Sequence, residues 1–307
     1  MVGFYTDHFV LPLPDGHTFP MTKYSRLREM VIAERIIAPE DLRVPEAATR
    51  DALLLVHTPR YVDAVIEGTL DAREQRRIGF PWSPSMAERA RRSVGATLAA
   101  TRQALADGVS ANLAGGTHHS FPDHGEGYCV FNDVAVSARL ARRDHGVGRI
   151  LVVDLDVHQG NGTARTFDAD DSVFTLSVHA AGNFPFRKEA SDLDVELPDG
   201  TADAGYLDAL DAALEIAFAR AAPELVFYVA GADPYEGDRL GKLKLTLDGL
   251  RARDKRVFAA ARAFGRSGVP CVVTMAGGYC PDVDTIAAIH ANTLREAACH
   301  SFSTNTT

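Results

Sequence analysis

Cysteine is scarce and unpatterned. The four thiols, Cys129, Cys271, Cys280 and Cys299, form no CxxC and no small-protein disulfide spacing, so a reducing compartment without a disulfide framework is expected. Positive charge is in deficit: 32 Lys and Arg face 41 Asp and Glu, a net charge of −9. Partners that are held by neutralising phosphates, nucleic acid and anionic membrane, are therefore not expected. Long apolar runs are also missing. Stretches such as 52–56 fall far short of the roughly 18 residues of a spanning helix. The opening MVGFYTDHFVLPLPDG has no basic start and is broken by Asp7, Pro12 and Pro14, unlike a secretory leader. A cytoplasmic protein is expected. There is no repeat of 20 to 50 residues and no low-complexity block. Neither a GxSxG elbow nor a GxxxxGK[ST] loop occurs, which leaves acyl-serine and nucleoside-triphosphate mechanisms without support.

What is present suffices for a large core. Hydrophobic residues are 46% and charged residues 24% of 307, an ordinary globular balance that allows one or two domains. Short apolar runs rich in β-branched residues recur at 111–114, 150–153, 173–178, 225–229 and 271–275. They are continuous rather than alternating, as in parallel strands covered on both faces. Between them lie helical patterns. One covers 83–106, with Ser83 as cap, Pro84 next, a second capping start at Ser85 and Glu88, and Gly108 as terminator. Arg89, Arg91 and Arg92 lie off its buried stripe and read as a solvated face. A second helix covers 204–221, ahead of Pro223. The alternation predicts a single α/β domain over 1–299 with a mainly parallel sheet, followed by a polar tail over 300–307.

Each predicted strand runs directly into reactive or turn-forming residues, and ligands of open α/β sheets bind at the carboxyl ends of strands. Those ends carry Gly115-Gly116-Thr117-His118-His119, Asp154-Leu155-Asp156-Val157-His158, His179, Asp233 and Gly277-Gly278-Tyr279. Asp154, Asp156 and His158 are two apart and can face one pocket. Zinc accepts carboxylate oxygen and imidazole nitrogen, and a catalytic site leaves one position open, so Asp233 is a candidate for a further ligand. The tandem His118 and His119 can relay protons. Tyr279 can donate a hydrogen bond to an oxygen that becomes negative.

The ordered motifs GGTHH, DLDVHQGNG, AGAD and AGGY resemble the zinc-dependent histone deacetylase family, over nearly the whole chain. GADPYEGDRLGKL followed by GLRARDKRVF looks most like its class IV branch, and the lack of long regulatory extensions suggests a bacterial homologue. The resemblance implies an arginase-like α/β fold with helices on both faces of the sheet. It implies Zn2+ on Asp156, His158 and Asp233, with catalytic His118, His119 and Tyr279 and with His119 as general base and later acid. It places Asp154 behind His118 and Asn161 behind His119; Asn161 departs from the branches with aspartate there, and should stabilise protonated His119 less. An acyl-lysine tunnel would be lined by Gly127, Tyr128, Phe184, Leu240 and Gly277. A potassium ion would involve Asp154, Asp156, His158, Ser177 and Val178. The implied activity is removal of acetyl or longer acyl groups from Nε-acyl-lysine in proteins or peptides by metal-activated water. The alternatives are an acylpolyamine amidohydrolase and a non-catalytic acyl-lysine binder.

Overall fold

The computed structural model describes residues 1–14, 16–266 and 268–300. Its eight strands are β1 (Val2–Phe4), β2 (Leu42–Arg43), β3 (Val109–Asn112), β4 (Ile150–Asp154), β5 (Val173–Ala180), β6 (Leu193–Leu197), β7 (Leu225–Val229) and β8 (Cys271–Thr274). All pair in parallel in one sheet, in the order β2-β1-β3-β8-β7-β4-β5-β6. The continuous apolar runs resolve into two alternating faces. In β4, Ile150 and Val152 join one core and Leu151 and Val153 the other; in β7, Phe227 and Val229 oppose Val226 and Tyr228. Each such side chain is worth about 1.5–3 kcal/mol when fully buried, so both faces must be covered.

One face is covered by helices Asp203–Ala221, Leu247–Ala263 and Val283–Ala298, through residues such as Leu210, Leu214, Val257, Ile286 and Leu294. The other is covered by Pro84–Asp107 and Asp133–His145 through Ala96, Ala100, Ala104, Val134 and Ala138, small residues that permit close approach. A third apolar cluster seats the short helices Pro59–Glu67 and Ala72–Ile78 against Pro84–Asp107. No helix among the described residues is long and apolar enough to cross a membrane.

The 83–106 helix forms as expected. Ser83 Oγ accepts from Met86 N at 3.1 Å, and Gly108 closes the helix at φ 89°. The alternative start is not used, since Glu88 instead pairs with Arg92 at 2.7 Å. The three arginines correct the solvated-face expectation. Arg89 donates to Phe9 O at 3.2 Å, Arg91 to Ala48 O at 3.0 Å and Arg92 to Pro45 O at 2.7 Å. Irregular segments have carbonyls without ladder partners, and these guanidiniums supply the donors.

Strand boundaries shift for local reasons. β3 begins and ends two residues before the predicted run, because Asn112 Oδ1 accepts from Ala114 N at 3.0 Å and turns the chain. β5 runs two residues further than predicted and takes His179 into the sheet, so this residue does not join the strand-end groups. It is buried with Nδ1 2.9 Å from Ser177 Oγ, and burial pushes its pKa down to about 4. At the carboxyl end, His300 is buried at 1% exposure and packs on Phe258, so the packed domain includes it. The rest of the expected tail, 301–307, lies outside the described residues.

In this strand order β3 and β4, consecutive in the chain, are separated by β8 and β7. The chain leaps across the sheet and returns, and the crevice at such a switch point opens at the carboxyl ends of β3, β8, β7 and β4.

Candidate metal and proton-transfer site

Asp156, His158 and Asp233 meet at that crevice. One ligand atom from each lies within 4.8 Å of the others, and all three are buried. His158 Nδ1 is 2.9 Å from Asp156 Oδ1 and 3.2 Å from Asp233 Oδ2. Gly277 N donates to Asp156 Oδ2 at 2.8 Å, and Val157 N donates to Asp233 Oδ1 at 3.0 Å. Asp233 Oδ2 has no hydrogen-bond partner. A buried carboxylate oxygen left over in this way, beside a second carboxylate and an imidazole, fits a divalent cation with oxygen and nitrogen ligands. The electrostatics agree. Burial and the neighbouring Asp156 push Asp233 up to about 7, while His118 and His158 hold Asp156 below the usual range against its burial. For His158, burial opposes the charge, but its bond to Asp156 and the nearby Asp233 carboxylate raise it to about 10. Ligands of a divalent ion must be deprotonated, so metal binding at this cluster would release protons.

Asp154 does not join this group, contrary to the reading from its spacing. The backbone turns at the end of β4, and Asp154 Oδ2 accepts from His118 Nδ1 at 2.6 Å, the position that the family resemblance implies. Burial disfavours a charge on His118, and the Asp154 and Asp156 carboxylates overcome it, raising the pKa to about 9. His119 Nδ1 donates to Asn161 Oδ1 at 2.7 Å. Burial and the charges of His118 and His158 hold His119 well below 6.5. The adjacent rings, 4.1 Å apart, are thus shifted in opposite directions, His118 up by its carboxylate partners and His119 down by burial.

The loop that aims them was only partly legible. Gly116 takes φ 72°, and a Cβ there would meet Ala276 Cβ at 2.6 Å, so glycine is required. Asp133 was not foreseen. Its carboxylate accepts from Gly116 N, Thr117 N and Thr117 Oγ1 at 3.1, 2.8 and 2.6 Å; its signal was the Asn132 cap beside it. His57, also missed, is 2% exposed. Its Nδ1 donates to Phe121 O and its Nε2 accepts from Asn132 N, both at 3.0 Å. Only the neutral ring can make both bonds, and burial lowers its pKa to about 4.

That shift has a sign. The unfolded chain takes up the proton first, near 6.5, so the stability His57 contributes is complete above that pH and is lost as pH falls toward 4. Between pH 7.5 and 5 the loss should be about 2 kcal/mol. Urea unfolding of the wild type and H57Q at both pH values checks this; equal losses in the two proteins would contradict it.

Tyr279 sits across the cluster, 8% exposed, its ring 6.4 Å from that of His158. Its backbone is tied down by residues that the sequence did not single out. Tyr279 N donates to Asp238 Oδ2 at 2.6 Å, Arg239 Nε donates to Tyr279 O at 3.0 Å, and buried Lys23 Nζ donates to Ala276 O at 3.0 Å. Burial, with Asp233 and Asp156 nearby, raises the phenol well above 10 and keeps it a neutral donor.

Of the expected tunnel residues, Gly127, Tyr128, Phe184 and Leu240 line a cavity of about 490 Å³ that reaches His119, His158 and Tyr279. Gly277 does not line it. It lines the adjoining inner pocket, where a Cβ would meet Asp233 Oδ2 at 1.9 Å, so glycine there makes room for the Asp233 carboxylate. For the expected potassium site, Asp154 and Ser177 are register partners on β4 and β5, and Val178 is buried beside them.

With this geometry in hand, comparison with known proteins is informative. The model of the histone deacetylase domain matches residues 17–295. An uncharacterized protein of a Picosynechococcus species is 43% identical over 287 residues, covering 94% of this chain and 95% of that protein. Histone deacetylase 2 of Arabidopsis thaliana is 32% identical over 280 residues, covering 86% and 70%. The crystal structure of an HDAC homolog complexed with SAHA superposes with a TM-score of 0.83 at 27% identity, covering 97% of this chain and 84% of the other. These matches support a deacetylase-type amidohydrolase with the arginase/deacetylase fold, and the chain belongs to the histone deacetylase family.

Proposed function

We propose that this protein is a zinc-dependent hydrolase of Nε-acyl-lysine amides in proteins or peptides, releasing free lysine and a carboxylic acid. The observation that carries this reading is the convergence of a cluster of three potential metal ligands, a histidine pair held by Asp154 and Asn161, and a phenol at the end of one cavity. Asp156, His158 and Asp233 would hold the ion, which supplies Lewis acidity to the carbonyl and makes water more acidic. His119, whose Nε2 is left free by the Asn161 bond, takes the proton as water adds to the carbonyl carbon. It returns the proton to the lysine nitrogen as the C–N bond breaks. His118, held by Asp154 at 2.6 Å, would favour the negative charge that develops when it carries a proton. Tyr279 donates to the carbonyl oxygen as it becomes an oxyanion. Tyr128 and Phe184 give aromatic walls suited to a methylene stem. A potassium ion beside Asp154, Asp156, His158, Ser177 and Val178 is a secondary part of the reading.

The acylpolyamine rival requires a mouth that attracts cations. Here Glu126 is the one carboxylate among the described lining residues outside the catalytic end, beside Arg76, Arg77 and Lys242, which does not favour it. A matched panel of acetyl-, myristoyl- and other acyl-lysine peptides, with acetylputrescine in parallel, tests the proposal on zinc-loaded protein. Turnover of at least one peptide, exceeding that of acetylputrescine, is expected, with one ion per chain. No turnover of any peptide would sink it, and binding without release of carboxylate would mark a non-catalytic binder.

A further inference from the structure

The cavity mouth carries positive charge that its own wall does not neutralise. The helix Ala72–Ile78 ends in Arg76 and Arg77, both exposed and both lining the cavity. Backbone bonds fix them there: Gly127 N donates to Arg77 O at 3.1 Å, and Tyr128 N donates to Ile78 O at 2.7 Å. The last turn of the helix is thereby docked on the tunnel wall. Cations at a helix carboxyl end are also favoured by the helix dipole, which accounts for their stability but not for their lack of partners.

The nearby carboxylates are engaged elsewhere. Glu74 pairs with Arg60 and accepts from Asp71 N at 2.9 Å. Glu126 lines the same cavity but makes no ion pair with either arginine and stands 3.8 Å from His124 Nε2, while Asp123 is taken by His124 Nδ1 at 2.7 Å. On the opposite wall Lys242 is already paired with Asp199 at 3.2 Å. Neither Arg76 nor Arg77 has an ion-pair partner among the described residues. A cationic spot on a chain of net charge −9 runs against the sign of the whole molecule, and it sits where a substrate must enter.

Resting on the acyl-lysine reading above, we propose that Arg76 and Arg77 form a subsite for carboxylates next to the acyl-lysine, so that the preferred substrates are acyl-lysines in acidic sequence contexts. A lysine entering the tunnel leaves its neighbours in the chain at the mouth. Guanidinium binds carboxylate in a planar, two-bond fork. Because the groups are solvent-exposed, the effect is modest and sensitive to salt.

The test uses three peptides with one acyl-lysine centre, flanked by Glu, Ser or Lys. Affinity is read by fluorescence anisotropy and turnover by kcat/KM, with zinc-loaded wild type, R76E/R77E and the charge-preserving R76K/R77K. The Glu-flanked peptide should bind about 5- to 20-fold more tightly than the Lys-flanked one at low salt. The ratio should fall toward one in about 1 M salt, where screening acts within about 3 Å. It should invert in R76E/R77E and persist in R76K/R77K. Equal affinities in the wild type, or a Glu preference that survives R76E/R77E, would overturn the subsite. The two readings separate cleanly. Preferential binding of the Glu peptide without cleavage of any peptide keeps the subsite and removes the hydrolase, whereas cleavage without charge preference does the reverse. Failure of all three peptides to bind removes both.

Discussion

Tyr279→Phe should lower turnover of an acyl-lysine peptide by about 10²-fold or more while zinc content and peptide affinity stay close to wild type. The substitution removes one oxygen and keeps the ring, whose neighbours Phe19, Tyr128 and His158 contact it at centroid distances of 6.2, 5.9 and 6.4 Å. The backbone anchors at Asp238, Arg239 and Lys23 do not involve the phenol. On the proposed mechanism, what is lost is a donor to an oxygen that gains charge only during reaction. Burial together with Asp233 and Asp156 keeps that donor protonated at any working pH. Single-turnover kinetics alongside metal analysis would check this, and undiminished turnover would remove Tyr279 from the mechanism.

Asp233→Asn should be more severe for activity yet harmless to the fold. The amide oxygen can still accept from Val157 N, the bond that Asp233 Oδ1 makes at 3.0 Å. The other oxygen, which lacks a hydrogen-bond partner, is the one that changes its chemistry. In metal-free protein the carboxylate is uncomfortable, raised to about 7 by burial and by Asp156. An acid whose folded pKa is raised costs stability as pH climbs from its unfolded value through the folded one. The metal-free variant at pH 8 should therefore melt no lower than metal-free wild type, while zinc affinity and peptide turnover both fall by more than about 10²-fold, the upper end of the loss for residues that merely support a ligand. Unchanged zinc affinity in D233N would take Asp233 out of the ligand set.

These expectations draw on residues of two kinds. His118, His119, Asp154, Asp156, His158, Asp233 and Tyr279 were legible because each follows an apolar run at a strand end, where a reactive side chain has no packing reason to be. The strands β1, β2 and β6 escaped notice: they span three, two and five residues at one side or the far edge of the sheet, too short or too polar to announce themselves. Asp133, His57, Lys23 and Asp238 escaped for another reason. They act on backbone groups of other segments of the chain, and only Asp133, beside the Asn132 cap, and Asp238, within GADPYEGDRLGKL, stand next to anything that could have marked them.

The sequence alone determined the alternation of strand and helix, the covered parallel sheet and the set of reactive groups gathered at its carboxyl ends, since periodicity and composition are local properties. Which carboxylate faces which partner was decided only by the tertiary structure. Asp154, which its spacing alone would have put with Asp156 and His158, pairs with His118 as the family resemblance implied, Gly277 lies against the Asp156 and Asp233 carboxylates, and Arg76 and Arg77 were brought to the mouth from a separate helix. Those outcomes depend on strand order and loop docking between segments far apart in the chain, and such contacts leave no periodic trace in the residues that make them.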